Sequence, residues 1–286
     1  MDRKPQSLAV LGAGVMGSGI AAMAVGHGMD VFLVEVDENV LARARDRLPD
    51  QLRHAQMLGV LPTGRPPGNL SISTSIRDVG VVDAVIEAVT EESQLKRKVL
   101  AETATVVGPG TPLVSNTSSI PIDELAADLP RPEDLVGTHF MNPAYLITMV
   151  EVVRGPRTSH ETMAAVIALL DALGRRAIVV RDTPGFVTSR LLHSMINDAA
   201  RIVGEGVAAV EDVDALLEGC LGHSTGPLRT ADLIGLDNLA DSLIALHERT
   251  GEDRYRPAPE LIHRIRHGHL GRKAGRGFYD YGEVPS

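Results

Sequence analysis

Short apolar runs rich in β-branched residues alternate with longer runs of helical spacing over roughly the first 180 residues of the chain. The longer runs, such as "EESQLKRKVLAETATVV" and "SHETMAAVIALLDALG", are typical of helices between strands. This alternation predicts a mainly parallel sheet with helices on both faces. Strands are expected at "SLAVLG", "DVFLVEV", "LSIST", "VDAVIEAV", "TPLVSN", "LVGTHF", "TMVEVV" and "RAIVVRD".

The pattern changes at "RDTPGF", after which no convincing strand follows. Asp182 or Thr183 can cap a helix, and Pro184 suits a first helical position. The stretches "GFVTSRLLHSMINDAARIVGEG", "AVEDVDALLEGCLG" and "LIGLDNLADSLIALHERTG" all indicate helices. We therefore predict an α/β domain over residues 1–183, followed by a smaller all-α domain over residues 184–286.

A glycine-rich loop follows the first predicted strand and opens a predicted helix. Gly12, Gly14 and Gly17 have the G-x-G-x-x-G spacing, in which the first glycine permits a tight turn. The second glycine lets a pyrophosphate approach the backbone, and the third lets the helix pack closely. Glu35 ends the second strand 23 residues after Gly12, where a carboxylate binds ribose hydroxyls and repels a 2′-phosphate. The first domain is thus predicted to be a Rossmann-type, doubly wound domain that binds NAD rather than NADP.

Composition and charge exclude several other classes of protein. A net charge of -9 argues against a nucleic-acid surface, and no apolar run approaches the length of a membrane span. The single Cys220 rules out an internal disulfide, and we expect a cytoplasmic protein. No metal is expected either, because the histidines in "ELIHRIRHGHLGRK" are more typical of a solvated helix end than of a ligand set.

Candidate catalytic residues lie where predicted strands end. A dehydrogenase needs a group that takes the hydroxyl proton, and histidine suits this near neutral pH. His139 ends the strand "LVGTHF", and Glu151 within "TMVEVV" could hold the imidazole through its second nitrogen. Asn116 and Ser118 follow another strand. From spacing alone, a hydrogen-bonded structural role for His139 stays open.

Several motifs together make the chain similar to the L-3-hydroxyacyl-CoA dehydrogenases, including the 3-hydroxybutyryl-CoA dehydrogenases. They are "LGAGVMGSGIA", "VIEAVTE", "SNTSSIPI", "HFMNP", "MVEVV", "DTPGF" and "GRKAGRGFYDY", and they cover nearly the whole chain in the family's order. The resemblance implies an NAD-dependent oxidoreductase that oxidises the hydroxyl of a 3-hydroxyacyl thioester. It also implies that the helical domain closes over the substrate and builds a homodimer.

The resemblance further implies roles for individual residues. His139 would be the base, Glu151 the acid that orients it, and Ser118 a hydroxyl that binds the substrate oxygen, although Ser118 could also cap a helix that begins near Pro121. Asn142 would contribute to the substrate site. The implied cofactor contacts are Gly12, Gly14, Val15, Met16, Gly17, Glu35, Glu91, Lys96 and Asn116.

One position departs from the family pattern. Ser189 stands where the family usually carries an asparagine that helps to hold the substrate, and a serine offers one hydroxyl in place of an amide. This departure leaves the substrate open. The stretch "GHSTGPLRTADLIGLDN" also resembles related enzymes of secondary metabolism. That resemblance implies a second candidate, a glyceryl or seryl thioester on an acyl carrier protein, oxidised on the way to hydroxymalonyl, methoxymalonyl or aminomalonyl extender units. A third, from another class, is a catalytically idle NAD-binding protein.

Overall fold

A computed structural model describes residues 5–282. The described residues fall into two compact units, one ending at Thr183 and the other beginning at Pro184. Within residues 5–282, no helix is long and apolar enough to cross a membrane.

The first unit is built around an eight-stranded sheet in its described part, with the order β3-β2-β1-β4-β5-β6-β7-β8. The strands are β1 (Ser7–Leu11), β2 (Asp30–Val34), β3 (Leu70–Ser73), β4 (Ala84–Glu87), β5 (Leu113–Ser115), β6 (Leu135–His139), β7 (Met149–Arg154) and β8 (Arg176–Arg181). Strands β1 to β6 are parallel, whereas β7 runs antiparallel to β6 and parallel to β8. The strands coincide with the apolar runs of the sequence, so the predicted doubly wound, mainly parallel sheet is confirmed.

The helices of the first unit connect successive strands. They are α1 (Val15–Gly26), α2 (Glu38–Met57), α3 (Ser93–Val106), the single turn α4 (Ile122–Leu125) and α5 (His160–Ala172). Polar caps fix several starts: the Asp37 carboxylate accepts from the first amides of α2, and the Ser159 hydroxyl does so for α5. Apolar residues of β1, β2 and β4 are buried against α1 and α5, as expected for strands covered on both faces.

The second unit is helical, as predicted. Its helices are α6 (Thr188–Gly204), α7 (Val210–Leu221), α8 (Pro227–Ile234), α9 (Leu236–Thr250) and α10 (Pro259–Arg266). Glycines in the left-handed region end α7 and α9, at Gly222 and Gly251. A core that includes Leu228, Leu239 and Tyr255 holds the helices together.

The start of the second unit differs from the sequence prediction. Helix α6 begins at Thr188 rather than at Pro184, because Gly185 (φ 70°) and Phe186 (φ 48°) adopt left-handed backbone conformations that a helix excludes. Asp182 does not cap α6. Its carboxylate oxygens instead accept from the amides of Ile122 and Asp123, at 2.9 Å each, and thereby cap α4.

Candidate active site

The glycine loop has the geometry that its sequence predicts. Gly12 has φ 96°, a conformation that L side chains rarely adopt, and a Cβ at that position would lie 2.6 Å from the carbonyl oxygen of Ala88. A Cβ at Gly17 would lie 1.8 Å from the carbonyl oxygen of Gly12. Among the described atoms, none lies within 4 Å of a Cβ built at Gly14. Packing within the chain thus requires two of the three glycines, and the third leaves the backbone open to a ligand.

Glu35 lies at the carboxyl end of β2, beside this loop. Its Oε2 accepts from the amide of Ala13 at 3.0 Å, and its Oε1 accepts from the amide of Asp37 at 3.2 Å. A pocket of about 410 Å³ is lined by Gly12, Gly14 and Glu35, together with apolar side chains of β2 and α3. An acidic residue over a glycine loop, beside an apolar pocket, fits the adenosine half of NAD.

His139 and Glu151 form a buried pair on adjacent antiparallel strands. They are direct partners in the β6–β7 register, and their side chains meet on one face of the sheet. His139 Nδ1 lies 2.8 Å from Glu151 Oε2, and the two residues are 8% and 9% exposed. This contact therefore depends on the antiparallel pairing of β7 with β6.

The partner of Nδ1 fixes the tautomer of the imidazole. An ionised carboxylate only accepts hydrogen bonds, so Nδ1 carries a proton and its N–H donates a hydrogen bond to Glu151. In the neutral ring, Nε2 then carries the lone pair that a general base uses. His139 and Glu151 thus have the base-and-orienter arrangement of catalytic triads.

The turn of residues 117–120, here called the Ser118 turn, follows β5 and is held by one carboxylate. Glu91 Oε1 accepts from the Thr117 hydroxyl at 2.6 Å, from the Ser118 amide at 2.8 Å and from the Ser119 amide at 3.2 Å. The Ser118 hydroxyl lies 3.1 Å from the same oxygen. Burial alone would raise the pKa of Glu91, but the charge of Lys96 and the bonds from Thr117 and Ser118 outweigh it and lower that pKa.

Asn116 links this turn to the strand that carries His139. Its side-chain Oδ1 accepts from the backbone amide of Phe140 at 3.1 Å, and its backbone amide donates to the carbonyl oxygen of Glu87 at 2.8 Å. Asn142 follows three residues after His139 and is joined to Pro143 by a cis peptide bond. Ser118, His139 and Asn142 thus follow the carboxyl ends of the adjacent strands β5 and β6, where ligands of open α/β sheets bind.

Sequence reasoning missed the residue that anchors Lys96. Glu87, the last residue of β4, is fully buried, and its Oε1 lies 2.7 Å from the Lys96 ammonium. Lys96 also approaches Glu91 Oε2, at 3.2 Å, and is itself fully buried. The available signal was a glutamate that ends an apolar strand, inside the motif "VIEAVTE".

Ser189 lies in the first turn of α6 in the second unit and is buried. His193 and Asn197 follow it at four-residue intervals and are also buried, so these three polar side chains share one face of the helix. Asn197 donates to the carbonyl oxygens of Arg254 and Arg256.

Comparison with known proteins identifies the family. Residues 7–183 match the model of the 3-hydroxyacyl-CoA dehydrogenase NAD-binding domain, and residues 185–281 match the 3-hydroxyacyl-CoA dehydrogenase C-terminal domain. The chain belongs to the 3-hydroxyacyl-CoA dehydrogenase family. It is an NAD-dependent oxidoreductase, so the predicted class of enzyme and its predicted cofactor are confirmed.

Individual relatives resemble the chain over almost its whole length. A protein of Bacillus subtilis (strain 168), named a probable 3-hydroxybutyryl-CoA dehydrogenase, is 40% identical over 284 residues, which are 98% of this chain and 99% of that protein. The crystal structure of M. tuberculosis FadB2 has a TM-score of 0.92 at 37% identity and covers 98% of this chain and 100% of its own. That of (S)-3-hydroxybutyryl-CoA dehydrogenase PaaH1 from Ralstonia eutropha has a TM-score of 0.88 at 36% identity, with the same coverage.

Proposed function

We propose that this enzyme oxidises the hydroxyl of a short 3-hydroxyacyl-CoA, such as 3-hydroxybutyryl-CoA, with His139 as the general base. The buried contact of 2.8 Å between His139 and Glu151 carries this proposal. The B. subtilis and R. eutropha relatives are both named for 3-hydroxybutyryl-CoA, which supports the CoA thioester over a carrier-protein thioester. No observation specifically favours the carrier-protein substrate.

The reaction removes a hydride from C3 of the substrate and a proton from its hydroxyl. His139 Nε2 takes the proton, because Nδ1 is already protonated and bonded to Glu151. The ring gains a positive charge in this step, and the Glu151 carboxylate stabilises that charge at short range. Ser118 holds the substrate oxygen, and the hydrogen bonds that the amides of its turn donate to Glu91 fix the backbone there. When bound, NAD supplies the acceptor for the hydride.

The same proposal assigns cofactor and substrate contacts. The glycine loop from Gly12 to Gly17, with Val15 and Met16 inside it, takes the pyrophosphate, and Glu35 takes the adenosine ribose. Asn116 and Glu91 contribute at the nicotinamide end. Because Lys96 is fully buried, we assign it an effect through Glu91. Asn142 and Ser189 are assigned to the substrate, and a serine in place of an amide favours a different fit of the acyl head group.

The function is tested by supplying thioesters side by side and following NADH. The panel holds (S)- and (R)-3-hydroxybutyryl-CoA, and glyceryl- and seryl-acyl carrier protein, each with NAD and then with NADP. We expect turnover with the (S)-CoA thioester and NAD. Turnover with the carrier-protein substrates alone would replace the proposed substrate, and no turnover with any of them would indicate an idle NAD-binding protein. His139→Ala serves as the matched control.

We also infer a homodimer formed through the second unit, in the cytoplasm. Several large apolar side chains of its helices are exposed in the single chain: Leu191, Leu216, Leu221, Leu233 and Ile244. Exposed apolar side chains mark an interface where they form one continuous patch, and we infer that these do so between two chains. The single, exposed Cys220 suits a reducing compartment. Light scattering should give twice the mass of one chain, and Leu216→Glu together with Leu221→Glu should lower it. A mass of one chain for the wild type would contradict the dimer.

A further inference from the structure

A fully buried ion pair lies next to the Ser118 turn, and one of its two residues, Glu87, has no role in the proposed reaction so far. Glu87 at the end of β4 and Lys96 on α3 are each 0% exposed, with 2.7 Å between Oε1 and Nζ. Removing two charges from water is costly, and the attraction between them only partly offsets that cost. Replacing such pairs by apolar residues is often neutral or stabilising. Stability alone therefore gives little reason for this pair.

Both carboxylate oxygens of Glu87 accept hydrogen bonds from defined donors. Its Oε1 accepts from the Lys96 ammonium and, at 2.8 Å, from the amide of Val89. Its Oε2 accepts from the hydroxyl of Ser115 at 2.6 Å, and Glu87 and Ser115 are direct partners in the β4–β5 register. The carboxylate is thus rigidly placed between the ends of two adjacent strands, and it fixes the position of the ammonium group.

The ammonium group of Lys96 passes this constraint on to the Ser118 turn. Nζ also contacts the carbonyl oxygen of Val89 at 3.3 Å and Oε2 of Glu91 at 3.2 Å. The other oxygen of Glu91 holds the Thr117 hydroxyl and the amides of the Ser118 turn. A continuous path of charged groups therefore runs from Glu87 through Lys96 and Glu91 to Ser118.

The charge of Glu87 affects the position of Glu91, as a neutral residue at position 87 would show. With Glu87 ionised, the single cation is shared between two carboxylates, and Glu91 keeps one oxygen for the turn. With a neutral residue at 87, the ammonium has Glu91 as its only anionic partner in this cluster. Attraction then draws Glu91 toward Lys96 and away from the amides of the turn, since charged hydrogen bonds are the stronger ones.

We propose that Glu87 is a positioning residue for the reaction, which acts through Lys96 and Glu91 on the place of the Ser118 hydroxyl. The proposal rests on the proposed function, in which Ser118 holds the substrate oxygen. It adds Glu87 to the residues that determine turnover, although Glu87 contacts neither substrate nor cofactor.

A double-mutant cycle with Ser118 tests the path. Glu87→Gln keeps the shape of the side chain and removes its charge. In the Ser118 enzyme we expect kcat/KM for the thioester, at saturating NAD, to fall about 10- to 50-fold, less than the roughly 100-fold that a misplacement of about 1 Å can cost. In the Ser118→Ala background, there is no hydroxyl to misplace, so the same change should cost less than about twofold.

The control is another buried carboxylate of the same unit. Asp134 precedes β6 and accepts from Arg131 Nε at 2.9 Å and from the amide of Gly110, two partners that lie outside the Ser118 turn. Asp134→Asn should lower thermal stability but change kcat/KM by less than about twofold in both backgrounds. It therefore separates the loss of a buried charge from the loss of positioning.

The outcomes are distinct. Equal losses from Glu87→Gln in both backgrounds, or no loss in the Ser118 enzyme, would overturn the positioning role. If Glu87→Gln does not fold, as judged by circular dichroism, Glu87→Asp replaces it in the same cycle, because it keeps the charge but withdraws it by one methylene. Absence of wild-type turnover would instead contradict the proposed function, so the two failures are distinguishable.

Discussion

Each of the two units buries carboxylates, but the carboxylates have different partners. In the first unit, Glu87 and Glu151 face Lys96 and His139, which are a cation and a titratable ring. In the second unit, Asp232 accepts from the amides of Phe278 and Tyr279 and from the hydroxyl of Tyr281. The amides and hydroxyl tie the C-terminal segment to α8. Glu87 and Glu151 thus hold charged or titratable side chains beside the candidate site, whereas Asp232 joins two segments of the second unit.

The pKa values show the same difference. Burial would raise the pKa of Glu91, yet Lys96 and the donors of the Ser118 turn lower it. Burial raises the pKa of Asp232, and the amides of Tyr279 and Phe278 oppose that rise only in part. Burial and the charge of Asp232 together raise the pKa of Tyr281 to about 12. Glu91 contacts the Lys96 ammonium directly and its pKa is lowered, whereas the hydrogen-bond donors of Asp232 are neutral, Arg264 acts on it through its charge alone, and its pKa stays raised.

The largest effect is expected from His139→Ala. If His139 is the general base, its loss should lower kcat by about 10³-fold, within the usual range for general base catalysis. NAD binding, measured by calorimetry, should change little, because the glycine loop and Glu35 are untouched. A variant that keeps most of its turnover would contradict the assignment of the base.

Glu151→Gln should have the next largest effect. The amide keeps the size of the side chain but not the charge that stabilises the imidazolium, and it can present an NH₂ group to Nδ1. We expect kcat to fall about 10²-fold with little change in KM, since the charge matters most in the transition state. Steady-state kinetics at saturating NAD measure both. A rise in KM alone would instead indicate a role in binding.

Asp232→Asn should separate stability from activity. The amide places an NH₂ group against donors that the carboxylate now accepts from, at a cost of about 1–3 kcal/mol. Thermal melting should shift down by roughly 4–24 °C for the second unit, while kcat below the transition stays within about twofold. A loss of kcat with an unchanged Tm would contradict a purely structural role for Asp232.

The fold was largely accessible from the sequence because its signals are local. The strand at "SLAVLG", the glycine loop and the acidic residue at Glu35 are close in sequence, and alternation of strand and helix leaves few topologies. The start of α6 was wrong by four residues. The amides of Ile122 and Asp123 take the Asp182 carboxylate, and this contact spans about 60 residues, which no local pattern encodes.

The candidate site was accessible only in part. The positions of His139 and Glu151 indicated a pair, but their contact depends on the antiparallel pairing of β6 with β7, which apolar periodicity does not determine. The bond from Glu87 to Ser115 depends on strand register. Strand order and register are tertiary properties, so Glu87 appeared in the sequence only as a charged end to an apolar run.

The smallest effect concerns the pH dependence of stability. The contributions of Glu91 and Asp232 to the free energy of unfolding should change in opposite directions as the pH falls. The pKa of Glu91 is lowered in the fold from 4.5, so its ionised form stabilises the fold above that pH and the contribution is lost as pH falls further. The advantage of the wild type over Glu91→Gln should therefore shrink in acid, by less than about 1 kcal/mol because the side chain is 36% exposed.

The pKa of Asp232 is raised from 3.8, so its contribution is fully present below 3.8 and is lost as pH rises through the folded value. The stability of the wild type relative to Asp232→Asn should therefore increase in acid. Urea unfolding of the three proteins between about pH 7 and pH 3.5 measures both trends, and trends of the same sign would mean that the two kinds of partner do not differ as argued.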